Sequence, residues 1–270
     1  MEILFLGTGS AFCFQNYQSN LLIKQGDKFL LVDAGGDLRF SLIDANISIQ
    51  DIDSLYISHL HNDHIGGMEF IALYTYFHPL CESLNLFIHE TLLRPLWSNA
   101  LQAGLNSVQN KVLTLDDYFN VKPVFDADLT FEWQQINFRL IPTQHMHNGK
   151  KPILTYGLMI HDMTSDYRVF LTGDTQFIPQ MIQDAYNQAH LIIQDCETSD
   201  SKTGVHAHYS EILTLDPSIK KKTCLWHYQD NVTNNFDHWN KRAKNDGFKQ
   251  FIKKGSRLIT QQNGIQYIDK

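Results

Sequence analysis

Three of the chain's thirteen histidines stand inside one short stretch, Ser58-His59-Leu60-His61-Asn62-Asp63-His64-Ile65-Gly66-Gly67. Imidazole and carboxylate are the natural donors for zinc and similar divalent ions. The stretch directly follows Leu55 to Ser58, which reads as a buried strand. A chain leaving a strand end changes direction, so donors placed there can converge. His59 and His61 alternate onto one side, while Asp63 and His64 turn toward a second point where the next helix begins. Gly66 and Gly67 let that helix start pack close to the sheet. A lone histidine reads as an ordinary core or surface residue. A His-x-His-x-Asp-His string after a buried strand reads as a metal loop.

A centre with two ions needs more donors than this loop holds, including one that bridges both ions. Three candidates lie downstream, each at the end of an apolar strand. His145 follows Phe138 to Gln144, Asp174 sits in Leu171-Thr172-Gly173-Asp174-Thr175, and His227 follows Thr223-Cys224-Leu225-Trp226. A buried carboxylate such as Asp174 requires a strong partner, which a cation supplies. His147 competes with His145 in Gln144-His145-Met146-His147; His145 is preferred because it directly ends the strand.

The elements that must position these donors follow from local patterns. Strands are expected over 3–6, 20–24, 28–33, 55–58, 84–89, 129–133, 138–143, 154–160, 168–172, 191–194 and 223–226, with further pieces near Leu258 and Ile265. Helices are expected over 38–45, 65–77, 92–103, 180–189 and 234–245, and a loop with short helical turns over 106–121. Strands and helices alternate with many hairpins, the pattern of an α/β chain with helices packed outside a pair of mixed sheets. No linker, repeat or low-complexity segment divides the 270 residues, so one domain over residues 1–270 is expected.

Bulk composition narrows the function. Hydrophobic residues make up 43% and charged residues 19%, an ordinary globular balance. The net charge of -7 lacks the basic stripe of a protein that coats nucleic acid; Lys220-Lys221-Lys222 and Lys253-Lys254 read as solvated turns. Cys13, Cys81, Cys196 and Cys224 are scattered without CxxC spacing, which fits reduced thiols in a cytoplasmic enzyme. The apolar opening Ile3-Leu4-Phe5-Leu6 lacks a basic leader, and no apolar run approaches membrane-spanning length.

Taken in order, the histidine loop, Gly173-Asp174-Thr175 and the strand-terminal histidines resemble the metallo-β-lactamase superfamily across nearly the whole chain. That resemblance implies an αββα sandwich of two mixed β-sheets flanked by helices, with two divalent ions at one edge, zinc before manganese. It gives one ion His59, His61 and His145, the other Asp63, His64 and His227, with Asp174 bridging. Within the superfamily, Phe5-Leu6-Gly7-Thr8-Gly9-Ser10-Ala11 is similar to the start of ribonuclease Z and its phosphodiesterase relatives. Gln194-Asp195-Cys196-Glu197-Thr198 followed by His206-Ala207-His208-Tyr209-Ser210 resembles that branch's acidic strand and His-Ser loop. There the histidine of the second element faces the scissile phosphate; position favours His208, with His206 as the alternative.

Ribonuclease Z usually carries a long arm after the third motif, and the spacing from His145 to Asp174 leaves room only for a hairpin. The resemblance therefore implies a compact phosphodiesterase acting on a small phosphodiester such as a 3′,5′-cyclic nucleotide. Hydroxide generated at the ions would attack phosphorus, Asp63 would accept the water proton, and His208 would protonate the departing ribose oxygen. The alternatives are a ribonuclease Z-like transfer-RNA 3′ endonuclease and a metal-dependent thioester, lactone or lactam hydrolase. Nucleic acid is thus a disfavoured partner, a membrane is not expected, and a homodimer is expected by family resemblance.

Overall fold

Neighbouring side chains along the central strands point into two different cores. In the strand Glu2–Phe5, Ile3 and Phe5 face one core while Leu4 faces another; in Leu21–Gln25, Leu21 and Ile23 oppose Leu22 in the same way. Burial on both faces is why these strands read as unbroken apolar runs and not as alternating ones. The computed structural model, which describes residues 1–150, 152–262 and 264–269, arranges them in two mixed sheets.

The first sheet runs in the order Gly264–Ile268, Arg257–Gln261, Glu2–Phe5, Leu21–Gln25, Lys28–Val32, Ile52–Ile57, Asn85–His89, Asn120–Val124. Its last four strands are parallel. The second runs Gln250–Phe251, Thr223–Trp226, Leu191–Asp195, Tyr167–Leu171, Pro152–Asp162, Ile136–His147, Thr130–Trp133, and its first four are parallel. Between the sheets lies a core of Phe5, Ile23, Val32, Phe138, Leu158, Leu171, Ile193 and Trp226, among others. The outer face of the first sheet is covered by Leu38, Leu42, Met68 and Ile71 from two helices, and that of the second by Ile182, Tyr186, Ile212 and Ala243. This is the expected αββα sandwich.

Three local expectations change. The helix expected over 92–103 is divided into Glu90–Pro95, a wider π-turn segment Leu96–Leu101, and Gln102–Leu105. Pro95 removes a backbone donor there, so the regular ladder cannot continue unaltered. The stretch 106–121, expected to be loop, holds a small hairpin of Ser107–Val108 with Lys111–Val112 and leads into the edge strand Asn120–Val124. Lys122 and Pro123 mask that strand's pattern, and an edge position is where a proline is tolerated. The strand expected to stop at Thr143 runs on to His147. Among the described residues, no helix is long and apolar enough to cross a membrane.

Candidate metal centre

The parallel strands of both sheets end along one edge of the sandwich, where ligands collect in α/β folds. Asp33 follows Lys28–Val32, the histidine loop follows Ile52–Ile57, Asp174 follows Tyr167–Leu171, Asp195 ends its strand, and His227 follows Thr223–Trp226. Asp33 and His227 turn the chain there with φ of 60° and 61°, a left-handed conformation that non-glycine residues hold only when their surroundings enforce it. The turn after Asp33 is pressed against the histidine loop. Ala34 N donates to the His64 carbonyl at 2.7 Å and Gly67 N to the Ala34 carbonyl at 2.8 Å. A side chain at Gly35 would come within 2.5 Å of the Asp63 carbonyl, so this contact requires glycine.

Two donor groups meet at that edge. In the first, His61 Nδ1 lies 3.0 Å from His59 Nε2 and 3.1 Å from His145 Nε2. His145 donates Nδ1–H to the Val205 carbonyl at 2.7 Å, which leaves its Nε2 as a lone pair. One proton on His61 cannot satisfy both neighbours, so ring nitrogens converge here beyond what hydrogen bonding among them explains. Burial pushes the pKa of His59 well below its ordinary value and lowers those of His61 and His145, keeping all three neutral and available as ligands.

The second group is Asp63, His64, Asp174 and His227. His64 Nδ1 pairs with Asp33 Oδ2 at 2.8 Å, and its Nε2 faces Asp174 Oδ2 at 3.2 Å and Asp63 Oδ2 at 3.3 Å. His227 Nε2 lies 3.5 Å and 3.6 Å from the same two oxygens. Asp174 Oδ2 is also 3.9 Å from both His59 Nε2 and His145 Nε2, so it stands between the groups. Burial alone would lower the pKa of His64 and His227, but the surrounding carboxylates, Asp174 first, raise both well above the ordinary value. Burial likewise works to raise Asp63 and Asp174, and the histidines overcome it and hold both well below the usual carboxylate range. The carboxylates demand positive charge at this point. A proton supplies one unit and a divalent cation two.

The residues fit such ions. Neither ring nitrogen of buried His227 makes a hydrogen bond; its Nδ1 is 3.2 Å from Asp195 Oδ1 but poorly aligned with it. Buried polar atoms left unpaired in this way mark a missing partner. Nitrogen donors in one group, and nitrogens with carboxylates in the other, suit a pair of divalent metal ions.

His206 and His208 part company. His206 Nδ1 is 2.9 Å from Asp195 Oδ2, and its ring lies 4.7 Å from that of His145 and 4.8 Å from that of His227. Its side chain is 14% exposed against 2% for His59, His64, His145 and His227, so it lies with half-buried His61 on the more open part of the cluster. His208, expected to face the phosphate, has both ring nitrogens engaged with neighbouring groups of its own loop. Its Nδ1 accepts from Ser210 N at 3.2 Å and its Nε2 donates to the Ser199 carbonyl at 2.9 Å. It caps the short helix Tyr209–Ile212, with Glu211 reaching back to its backbone N–H. Glu211, three residues on, is the sequence signal for this capping role of His208.

His147 is exposed at a hairpin tip, where its Nδ1 accepts from Gly149 N, while His145 is buried in the cluster. His145 does not end its strand; it falls at a register shift between Gln144 and Met146, and a bulge of this kind re-aims a side chain. Sequence reasoning missed Asp33, which accepts from Ser58 N, Ser58 Oγ and His64 Nδ1, each at 2.8 Å. It also gave Asp195 no role, although Asp195 takes Thr175 N and His206 on one oxygen and faces His227 with the other. The available signal was the same for both: an acid ending an apolar strand needs partners.

Comparison with known proteins agrees with this architecture. Residues 1–258 match the family model of the anti-Pycsar protein Apyc1. The anti-Pycsar protein Apyc1 of Paenibacillus harenae is 34% identical over 233 residues, 86% of this chain and 91% of that protein. The Bacillus phage BSP38 protein of the same description is 33% identical over 242 residues, covering 87% and 91%. Among solved structures, the metallo-β-lactamase fold protein YhfI from Bacillus subtilis has a TM-score of 0.69 at 20% identity, covering 95% of this chain and 97% of that one. The short form of human tRNase Z has a TM-score of 0.62 at 16% identity, covering 86% and 94%. Unliganded yeast PDE1 has a TM-score of 0.69 at 11% identity, covering 95% and 98%. These structural likenesses speak to the fold, which is the metallo-β-lactamase fold.

Proposed function

Because the chain belongs to the anti-Pycsar protein Apyc1 family, we propose that it hydrolyses small phosphodiesters, with 3′,5′-cyclic nucleotides as the leading substrates. The observation that carries this reading is the pairing of two donor groups around Asp174, with His206 on their open side. In this proposal His59, His61 and His145 would hold one divalent ion and Asp63, His64 and His227 the other, with Asp174 placed between the two groups. Zinc is the first choice and manganese the second. Bound there, the two ions would supply a nucleophile from water at neutral pH and offset charge on the phosphoryl oxygens.

The chain's own groups do the rest. Asp33 and the Val205 carbonyl fix the orientation of His64 and His145. Asp63 accepts the proton of the attacking water. Asp195 holds His206 through Nδ1, which leaves Nε2 to donate a proton to the departing ribose oxygen, the role first given to His208. A net charge of -7 supports a small substrate over transfer RNA. So does the local chain: the described residues from His145 to Asp174 form the hairpin of Ile136–His147 with Pro152–Asp162, the strand Tyr167–Leu171 and short turns, with no inserted arm. The proposal further takes residues 1–270 as one domain, working as a cytoplasmic homodimer.

The test is incubation of the metal-loaded protein with 3′,5′-cyclic AMP, GMP, CMP and UMP, bis-p-nitrophenyl phosphate, a precursor transfer RNA and a thioester. Ring opening that Asp174→Ala abolishes is the expected result. Cleavage of the RNA alone would move the protein to ribonuclease Z chemistry, and hydrolysis of the thioester alone to carbon-centred substrates.

A further inference from the structure

The segment that carries His206 has little packing to hold it. Residues 200–204 are exposed, Gly204 has φ +78°, and a side chain built there would touch nothing within 4 Å. Polar contacts fasten it: Thr203 N donates to Glu197, Lys202 pairs with Glu211, and two carbonyls at its end are held as well. The carbonyls of Gly204 and Val205, the two residues before His206, are both gripped from the far side of the centre. Val205 accepts from His145 Nδ1 at 2.7 Å, and Gly204 accepts from Gln176 Nε2 at 2.7 Å.

Gln176 is itself rigidly placed. Its backbone N donates to the Gln144 carbonyl at 2.8 Å, and its Oε1 accepts from Gln144 Nε2 at 2.7 Å. Beside it, Thr175 N donates to Asp195, the same carboxylate that orients His206. One side-chain amide therefore ties the bulge that presents His145, the segment after Asp174, and the segment before His206. We propose that Gln176 is a positioning residue for His206, setting its distance from the phosphodiester without touching metal or substrate. The inference rests on the phosphodiesterase reading above and on His206 as its proton donor.

The consequence is specific to turnover, because misplacing a catalytic group by about 1 Å can cost on the order of 100-fold in rate. Gln176→Ala should lower kcat for a cyclic nucleotide about 10-fold or more, move KM less than about 3-fold, and leave metal content and Tm near wild type. Gln176→Glu keeps the acceptor for Gln144 but cannot donate to Gly204, so it should share the kcat loss. In a His206→Ala background, adding Gln176→Ala should change kcat less than about 2-fold, since a residue acting through His206 has nothing left to position. Wild-type kcat in the Gln176 variants would overturn the inference. So would a loss that adds in full to His206→Ala, or a loss of bound metal in both Gln176 variants. If the wild-type protein itself opens no phosphodiester, the underlying reading fails instead, and the two failures are told apart by that control.

Discussion

Replacing Asp33 by asparagine tests how far the metal centre depends on a residue that supplies no ligand. In the aspartate, one oxygen accepts from Ser58 N and the other from Ser58 Oγ and His64 Nδ1, all at 2.8 Å. Asparagine preserves shape and one acceptor. If its oxygen stays on Ser58 N, its amide NH2 confronts the N–H of His64. His64 must then move its proton to Nε2, the atom that faces Asp63 and Asp174. One charge-assisted hydrogen bond, worth about 1.5–3 kcal/mol, is lost from the state that binds metal. At about 1.4 kcal/mol per tenfold, that is roughly a 10- to 100-fold weaker affinity, the range found when partners of metal-bound histidines are removed. Zinc titration against a chromophoric chelator reads this directly, as one binding step weakened in Asp33→Asn. Two steps of wild-type affinity would refute the reasoning, because His64 would then need no partner on Nδ1.

Four further substitutions test the site and the fold around it. His206→Ala should lose most cyclic-nucleotide turnover, on the order of 100-fold, with both ions retained. His208→Ala should keep turnover and lose only about 1 kcal/mol of stability through its cap; the opposite pattern in steady-state kinetics would restore the first assignment. Gly35→Ala should destabilise the fold by about 2 kcal/mol or more and weaken metal binding, since its Cβ would press on the Asp63 carbonyl; urea unfolding and metal analysis check both. Asp162 is buried, which would raise its pKa, but hydrogen bonds from Ser165, Thr260 and Thr164 hold it well below the usual range. With its folded pKa below the unfolded value near 3.9, its contribution is present above about pH 4 and lost as pH falls. Asp162→Ala should therefore cost roughly 2–4 kcal/mol at pH 7, and the gap to wild type should narrow below pH 4 in urea titrations.

The donors were legible because each stands where an apolar strand stops, and few residue types belong there without a partner. The two-core sandwich was legible for a related reason: runs such as Leu21-Leu22-Ile23 must be covered on both faces. What stayed hidden depends on residues distant in the chain. The partners of Asp33 lie 25 and 31 positions away. The choice between His206 and His208 had one local signal, the capping pattern of His208 with Glu211, while the contact of His206 with Asp195, 11 positions away, was not written locally. The bulge at His145 depends on how its strand pairs with Pro152–Asp162, a register that no local pattern states.

The centre also has a history in time. His61 meets His145 across 84 positions of sequence, and His64 meets Asp174 across 110. Contacts of that span close late in folding, after the local hairpins and helices have formed. Before the sheets dock, a cation finds only the loop of residues 59–64, and its full set of donors exists only once they have met. Ions held by the complete donor set and not by the loop alone would act mainly on the rate of leaving the native state. The edge where hydrolysis is proposed to occur is therefore also a latch, tying the loops of one sheet to those of the other.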